Sequence, residues 1–411
     1  MSTPVTECLT TEFDTALAAG QPRSFTGLSE EIFDSVSQID VEAWDHVRDS
    51  ADIFMDPRLL QALETSMAAT SQFRYVLYRD QNGTPTAIAV LCTFVIDIRV
   101  LANDAWSRWI LGQLGKLSRK LVDYRIVFCG LPLSACQSSL RFAPGADSAA
   151  VLAMLDRALS RIAKQDRASV IVLKEFADEE LPALKPLEAL GYRQADSLPT
   201  HLVMLKSSTF EGYLKDVGLK KRHRIRQSMV KFSESGIEFI TTSDLATIER
   251  LFTPETHRLY EAVLSKSETQ FEHLPAAFFL ETARQLPDCC EFQFALDKDR
   301  VVGFCISLLA GQTYHPMLIG LDYNISRDVG LYFNLAFRAI ADAANAGATM
   351  VEVGQNSEEF KHTRLGAIQS RRSIYVRGGS ATMNWVIGML FQQLFPRHPL
   401  LSERQAEQQP G

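Results

Sequence analysis

The spacing of hydrophobic residues in the first half of the chain predicts strands and helices in a defined order. Residues 75–78 and 87–95 are rich in β-branched and aromatic residues, and Asn82-Gly83 between them is typical of a hairpin turn. Apolar residues then recur at helical spacing from 151 to 162, and an apolar run follows at 170–173. The first half therefore predicts a hairpin, a basic helix at 106–121, a strand at 125–131, a helix and a buried strand, closed by a strand near 201–205.

The second half repeats this order of elements. Residues 291–296 and 301–309 predict a hairpin, and further strands are predicted at 238–241, 314–321 and 350–353. One helix is predicted over 247–264 and another over 276–285. The helix predicted over 331–346 carries a single apolar stripe and is stopped by Gly347. Because hairpin, strand, helix and strand occur twice without repeating the residues themselves, the order indicates a duplicated domain.

The length of the chain sets the expected number of domains. At 411 residues it exceeds the roughly 250 residues at which single cores stop growing, so two domains are expected. We place a polar leader at 1–35, a first domain at 36–205, a second at 206–378, and a C-terminal helix and tail at 379–411. The leader lacks the pattern of a secretion signal, so we expect a cytoplasmic protein. The apolar segment 383–395 is too short to span a bilayer, and it is expected to pack on the body or a partner, or to lie on a membrane surface.

Charge and cysteine content narrow the class of protein. The net charge of −7 argues against a protein that coats nucleic acid, so no DNA partner is expected. Seven cysteines, an odd number without metal-ligand spacing, predict reduced core thiols and no metal site. Positive charge is instead concentrated at 220–226, where Lys220, Lys221, Arg222 and Arg224 predict a site for phosphates of a substrate. The same run can also be a solvated helix face.

A second candidate anion site lies between the strand predicted at 314–321 and the helix predicted at 331–346. Gly330 there allows a ligand to approach the backbone, and the first amides of the following helix lack internal partners. The alternative is that Gly330 makes only a tight turn before an ordinary helix. The residues predicted to hold a diphosphate such as that of acyl-CoA are Arg327, Asp328, Val329, Gly330, Leu331 and Tyr332.

Arg327 and Gly330 match the signature of the GNAT superfamily of N-acyltransferases, which is Arg or Gln, two residues, Gly, one residue, and Gly or Ala. Tyr332 departs from that signature. With this departure, the chain resembles the Fem-like branch of N-acyltransferases linked to peptidoglycan biosynthesis or recognition. Four stretches carry the resemblance: 54–64, 220–227, 331–333, and 352–354 followed by 361–366. The resemblance implies an α/β fold of two tandem GNAT-like domains, each a mixed, mostly antiparallel sheet flanked by helices, with the chemistry in the second.

The resemblance also implies a reaction. An acyl or aminoacyl group would move from a thioester such as acyl-CoA, as co-substrate, to a small or carrier-bound amine, without a metal. Glu352 is a candidate base, and His315 is a second candidate base or a structural histidine. Lys361 and Arg364 are expected to bind an acidic group of the acceptor or to pair with nearby glutamates, and backbone amides at 321–323 to stabilise the oxyanion. Two alternatives are a Fem-type transferase that uses aminoacyl-tRNA and a non-catalytic module that binds a cell-envelope or carrier-bound ligand.

Overall fold

The computed structural model describes residues 23–25, 27–97, 123–133, 136–267, 273–401, 403 and 404. Fourteen strands in this part of the chain form one sheet. The first-half strands are β1 (Arg23–Phe25), β2 (Leu28–Phe33), β3 (Ser71–Arg79), β4 (Pro85–Asp97), β5 (Asp123–Cys129), β6 (Leu140–Phe142), β7 (Val170–Phe176) and β8 (Arg193–Met204). The first-half helices are α1 (Val41–Val47), α2 (Pro57–Met67), α3 (Ser148–Gln165), α4 (Leu181–Leu184) and α5 (Pro186–Ala189).

The second half continues the same sheet. Its strands are β9 (Glu238–Thr242), β10 (Cys290–Asp297), β11 (Arg300–Ala310), β12 (Thr313–Leu321), β13 (Met350–Glu352) and β14 (Ile368–Gly378). Its helices are α6 (Phe210–Asp216), α7 (Leu219–Ser233), α8 (Leu245–Leu251), α9 (Pro254–Lys266), α10 (Ala276–Gln285), α11 (Tyr323–Val329), α12 (Leu331–Asn345), α13 (Glu358–Phe360) and α14 (Ala381–Leu394). A π-helical turn, Lys361–Leu365, follows α13 directly.

Most elements predicted in the first half are present. The predicted hairpin is β3 and β4, and the Asp80 carboxylate in its turn accepts hydrogen bonds from the amides of Asn82 and Thr84. The predicted helix is α3, which begins where the Asp147 side chain accepts a bond from the Ala150 amide. The leader predicted at 1–35 is too long, because β2 pairs with β3 and so belongs to the sheet. The basic helix predicted at 106–121 lies outside the described residues.

In the second half, the predicted hairpin is confirmed as β10 and β11, and the predicted helix with one apolar stripe is confirmed as α12. The single helix predicted over 247–264 is wrong, because this segment forms α8 and α9. Pro254 lacks an amide hydrogen and therefore starts a new helix, whose first turn is capped by the Thr253 side chain. The apolar face of α10 packs with α2 of the first half in one hydrophobic cluster, so the two halves share a core.

The two halves also exchange their last strands. β8 comes from the first half of the sequence but pairs with β13 of the second, and β14 comes from the second half but pairs with β7 of the first. β8 and β14 pair with each other, antiparallel, at the centre of the sheet. The order is therefore β1-β2-β3-β4-β5-β7-β14-β8-β13-β12-β11-β10-β9, with β6 beside β4. Backbone hydrogen bonds thus join the halves directly.

The C-terminal helix α14 packs on the sheet with one face only. Ile387 is buried there, and Met383 and Phe391 pack against the same apolar cluster. On the opposite face the Trp385 side chain is 65% exposed. Across the described ranges, no helix combines the length and the apolar character needed to cross a membrane.

Candidate active site

Each half contains one pair of neighbouring parallel strands, and the two pairs differ in how far they stay together. In the first half β5 and β7 pair at four positions, up to Cys129 at the end of β5. In the second half β12 and β13 pair at only two positions, the last of which is Tyr314. β12 continues to Leu321, whereas β13 ends at Glu352. Among the described strands none pairs with this edge of β12 beyond Tyr314, so the sheet opens there.

The backbone of β12 is irregular at the same place. Pro316 pairs with Ser307 and Leu318 with Ile306, which leaves Met317 without an opposite residue. Such β-bulges bend a strand and recur beside active sites. The opening therefore has two causes, the early end of β13 and the bulge in β12.

The corresponding place in the first half is filled by a side chain. Gly130, which follows β5, has a φ of +157°, and a Cβ placed on it would lie 2.6 Å from Cγ of Lys174. The Lys174 ammonium donates a hydrogen bond to the Leu133 carbonyl at 2.7 Å. The parallel pair of the first half is therefore closed, and the second half holds the better candidate site.

His315 and Glu352 face each other at the base of the opening, one residue beyond the last paired positions of β12 and β13. His315 Nδ1 lies 3.2 Å from Glu352 Oε2, and both side chains are buried. The Phe54 ring packs edge-on against the imidazole, with ring centroids 5.2 Å apart. The structure thus brings together the two residues predicted separately as catalytic.

Three further side chains hold Glu352, and none of them was predicted. Thr200 donates to Oε1 at 3.1 Å, and Gln137 donates to Oε2 at 3.4 Å. Arg372 Nη2 lies 3.6 Å from Oε1. Thr200 is on β8 and Arg372 is on β14, so the exchanged strands bring these groups to the second-half site. Both carboxylate oxygens are engaged, which fixes the orientation of Glu352.

None of these three residues carries a clear signal in the sequence. Arg372 is one of three arginines in β14, and only the structure shows that it is the buried one that reaches Glu352. Gln137 and Thr200 carry no signal either, because polar residues of these types are common in loops and strands.

Lys361 is the most unusual charged residue near this site. It is only 5% exposed, and the described part of the chain provides no hydrogen bond or ion pair to its ammonium group. Burial lowers the pKa of Lys361 to about 7. A Cβ placed on Gly354, two residues after Glu352, would lie 3.8 Å from the Lys361 Nζ. Because an unpaired buried amine opposes folding, its presence points to a functional role.

The charge on Lys361 affects the pKa of a neighbouring histidine. Burial, and then the charge on Lys361, lower the pKa of His201 to about 4. His201 Nδ1 lies 2.9 Å from the Gly354 carbonyl, so this nitrogen acts as the donor.

Arg364, which was predicted to act with Lys361, instead has its guanidinium 5.9 Å from the centre of the Phe333 ring. Among the described residues, neither Lys361 nor Arg364 forms the alternative ion pair with Glu358 or Glu359, and Glu358 pairs with Arg404 instead.

The predicted anion turn around Gly330 has a different local structure from the one expected. Arg327 and Asp328 are exposed residues of helix α11 and not of an open loop. Gly330, with a φ of +65°, joins α11 directly to α12, and the Asn334 side chain donates to its carbonyl at 2.9 Å. A Cβ placed on Gly330 would lie 3.4 Å from Ser228 Oγ of α7. Ser228 and Asn334 therefore lie beside Gly330, and binding of a diphosphate at this turn stays a prediction.

The side chains of other residues in the predicted turn pack against the rest of the protein. Leu331 is buried, and Val329 and Tyr332 pack around the same hydrophobic cluster. Among the amides predicted to form an oxyanion hole at 321–323, that of Asp322 donates to the Val302 carbonyl at 2.8 Å. This amide is therefore not available to an oxyanion.

Gly330→Ala is expected to destabilise the protein by about 1–2 kcal/mol, because alanine is strained in the left-handed conformation. Gly330→Asn should cost less, since asparagine tolerates that conformation. Urea unfolding measures both. Gly236→Ala is the control for backbone strain alone, because Gly236 has a φ of +72° and open space around it. We expect it to cost a similar free energy of unfolding. Unchanged stability of Gly330→Ala, with loss of ligand affinity, would contradict this structural role.

The basic run at 220–226 lies on α7 and borders a cleft of about 420 Å³. Arg222 has a different role, because its guanidinium donates to the carbonyls of Leu214 and Lys215 at the end of α6. Three of the four residues predicted here therefore remain candidates for ligand contact. The cleft is lined by Val217, Gly218, Leu219, Lys220, Lys221, Arg224, His362 and Thr363.

One family model matches the part of the chain that contains this site. Residues 220–362 match the family model described as an acetyltransferase (GNAT) domain. The match begins on α7 and ends in the π-helical turn, so it includes β12, β13, His315, Glu352 and Lys361. A comparison with curated proteins finds no match.

Three solved structures are similar to this chain at low sequence identity. The C-terminal domain of a putative lysylphosphatidylglycerol synthetase from Agrobacterium fabrum matches with a TM-score of 0.50 and 13% identity, over 89% of this chain and 100% of that one. FemX matches with a TM-score of 0.47 and 12% identity over 76% and 90% of the two chains. A tandem GNAT protein from the clavulanic acid biosynthesis pathway matches with a TM-score of 0.48 and 11% identity over 86% and 99%. The predicted α/β fold is confirmed by the strands and helices themselves, and the family model confirms the GNAT resemblance for residues 220–362.

Proposed function

We propose that this protein, with its GNAT domain at residues 220–362, is an N-acyltransferase that moves an acyl group from a thioester to an amine. The observation that carries the proposal is the opening between β12 and β13, with the His315–Glu352 pair at its base. In open α/β sheets, ligands bind beyond the carboxyl ends of strands where neighbouring strands diverge. The free edge of β12 can also bond to an extended molecule, as in strand addition. A linear thioester such as acyl-CoA fits such a groove.

His315 is the proposed base. Among the described residues no hydrogen bond to Nε2 is found, while Nδ1 is held by Glu352. Nε2 can therefore accept the proton that the amine loses as its nitrogen attacks the thioester carbonyl. The carbon–sulfur bond then breaks, and the imidazolium returns this proton to the leaving thiolate. The products are an amide and a free thiol, and no covalent enzyme intermediate is required.

Glu352 is proposed to position His315 rather than to accept the proton itself. Its two oxygens already contact Thr200, Gln137, Arg372 and His315. A carboxylate held in this way fixes the ring of the neighbouring histidine and stabilises the imidazolium, as in other histidine–carboxylate pairs. Glu352 therefore acts through His315.

Lys361 is proposed to stabilise the negative charge that develops on the carbonyl oxygen. It lies against Gly354, directly after the end of β13, and its ammonium has no protein partner among the described residues. A preorganised positive charge in a water-poor site is worth more than the same charge in water. This role explains why a buried amine is present without a carboxylate beside it.

The test is release of free thiol from a panel of acyl-CoA thioesters in the presence of primary amines, followed with a thiol reagent. Acyl-CoA should also raise the melting temperature of the protein, because it binds the folded state. Absence of both effects would overturn the proposal. Stabilisation by a muropeptide alone would then favour a non-catalytic binding module, and salt-sensitive binding of aminoacyl-tRNA would favour a transferase of the Fem type.

A further inference from the structure

We infer that the cleft at the start of α7 binds a phosphate or diphosphate group of a substrate. The inference rests on the proposed function, because it names the chemical class of ligand that the same active site receives. The cleft has a volume of about 420 Å³, which accommodates a small phosphorylated group and not a nucleic acid duplex. It lies between α7 and the π-helical turn that carries Lys361.

The charge of the cleft supports an anionic ligand. Lys220, Lys221 and Arg224 line it together with His362, and none of its lining residues is acidic. No ion pair to these three cations is present within the described ranges. Two residues after Arg224 on α7, by contrast, Arg226 pairs with Glu211 at 2.8 Å. In a protein of net charge −7, three unneutralised cations around one cleft form a local site for a phosphate.

The backbone at the start of α7 adds to this positive character. Gly218, the residue before the helix, has a φ of +84° and no side chain to accept bonds from the first amides. Those amides carry the positive end of the helix dipole and have no intrahelical acceptors. They reinforce the charge of the lysines but do not define the site by themselves.

The cleft is coupled to the active site through a shared turn. His362 and Thr363 line the cleft, while Lys361, the preceding residue, is buried near Gly354. Neighbouring Cα atoms lie about 3.8 Å apart, so a ligand anchored in the cleft lies close to the chain that carries Lys361. A phosphate there can hold the reacting part of the same molecule near the opening between β12 and β13.

The alternative phosphate position at Gly330 is less accessible. Ser228 of α7 and Asn334 of α12 lie beside Gly330. The middle of α7 therefore covers the Gly330 turn, whereas the cleft at the start of α7 is open. Lys221 and Ser228 are seven positions apart, which corresponds to about 10 Å along a helix. The phosphate is therefore displaced along α7 from the place that the GNAT signature indicates.

The experiment measures dissociation constants by calorimetry at constant ionic strength, with inorganic pyrophosphate, CoA and uridine diphosphate as probes. The cleft variant is Lys221→Ala/Arg224→Ala. The matched control is Arg226→Ala/Lys231→Ala, which removes one arginine and one lysine from the same helix outside the cleft. Pyrophosphate should bind at least about tenfold more weakly to the cleft variant, since two charge-assisted contacts are lost. The control should bind like the wild type.

The outcomes separate the source of the phosphate from the existence of the site. Competition between CoA and pyrophosphate assigns the site to the acyl donor, whereas competition by uridine diphosphate alone assigns it to the acceptor. Equal weakening in both double variants, or loss of binding only in Arg327→Ala, would overturn the inference. Because binding is measured without turnover, pyrophosphate binding combined with a negative thiol-release assay would reject only the proposed reaction.

Discussion

His315→Gln is expected to reduce the rate of acyl transfer by about 10²–10⁴-fold, the usual contribution of a positioned acid–base group. Glutamine keeps a polar side chain of similar size but cannot accept and return a proton. The variant should bind acyl-CoA as the wild type does, because His315 is placed at the reacting atoms and not along the donor. The turnover number, measured with the best thioester and amine of the panel, checks this.

A control variant distinguishes a base from a structural histidine. His46→Gln should keep the wild-type rate of acyl transfer, since His46 is exposed on α1 and far from any proposed chemistry in sequence. A His315→Gln protein that keeps the wild-type rate would show that His315 only packs against Phe54 and Glu352.

Local patterns in the sequence predicted local structure well. The hairpins follow from alternation and turn residues, and α12 follows from one apolar stripe ended by Gly347. The break between α8 and α9 was also encoded locally, in Pro254, but the apolar spacing on both sides of it resembled one helix. These elements depend on neighbours in the chain, which is why a single sequence contains the information.

The composition of the active site depends on contacts between distant parts of the chain. Arg372 and Thr200 reach Glu352 because β14 and β8 are exchanged between the halves. Gln137 reaches it from the segment after β5, more than 200 positions earlier in the chain. No periodicity or turn signal specifies which strand lies beside which, so only the candidates on β12 and β13 could be predicted.

Gly330 shows which part of a local signal a single sequence contains. The sequence indicated a turn that requires glycine, and Gly330 has a φ of +65° in the structure. The sequence did not indicate that helix α11 precedes this turn, or that Ser228 of α7, more than 100 residues earlier, lies beside it. The backbone conformation of a turn is local information, whereas the groups that pack against the turn are not.

Lys361→Met is expected to inactivate the enzyme and to stabilise its fold. Methionine has a similar length without the charge, so the buried site no longer holds an unpaired amine. The gain in the free energy of unfolding should be on the order of 5 kcal/mol below pH 7, because the pKa of Lys361 is lowered from 10.5 to about 7. Activity should fall by about 10²–10³-fold, the effect of removing one group that stabilises an oxyanion.

The stabilising effect of Lys361→Met should depend on pH with a defined sign. The pKa of Lys361 is lowered from 10.5 to about 7 in the folded protein by burial. Above pH 10.5 the amine is neutral in both states, so it opposes folding least. As the pH falls from 10.5 towards 7, the unfolded chain takes up the proton first, which favours unfolding. The advantage of Lys361→Met should therefore be largest below pH 7 and decline between pH 7 and 10.5.

Urea unfolding at pH 6 and pH 9 measures this difference, with Lys231→Met on the exposed face of α7 as the control that should show no pH-dependent gain. If Lys361→Met is less stable than the wild type at pH 6, the amine has a stabilising partner and its role is structural. A stable variant with full activity would instead remove Lys361 from the mechanism. Gain of stability together with loss of activity is the combination expected of a charge that is kept for catalysis at a cost to the fold.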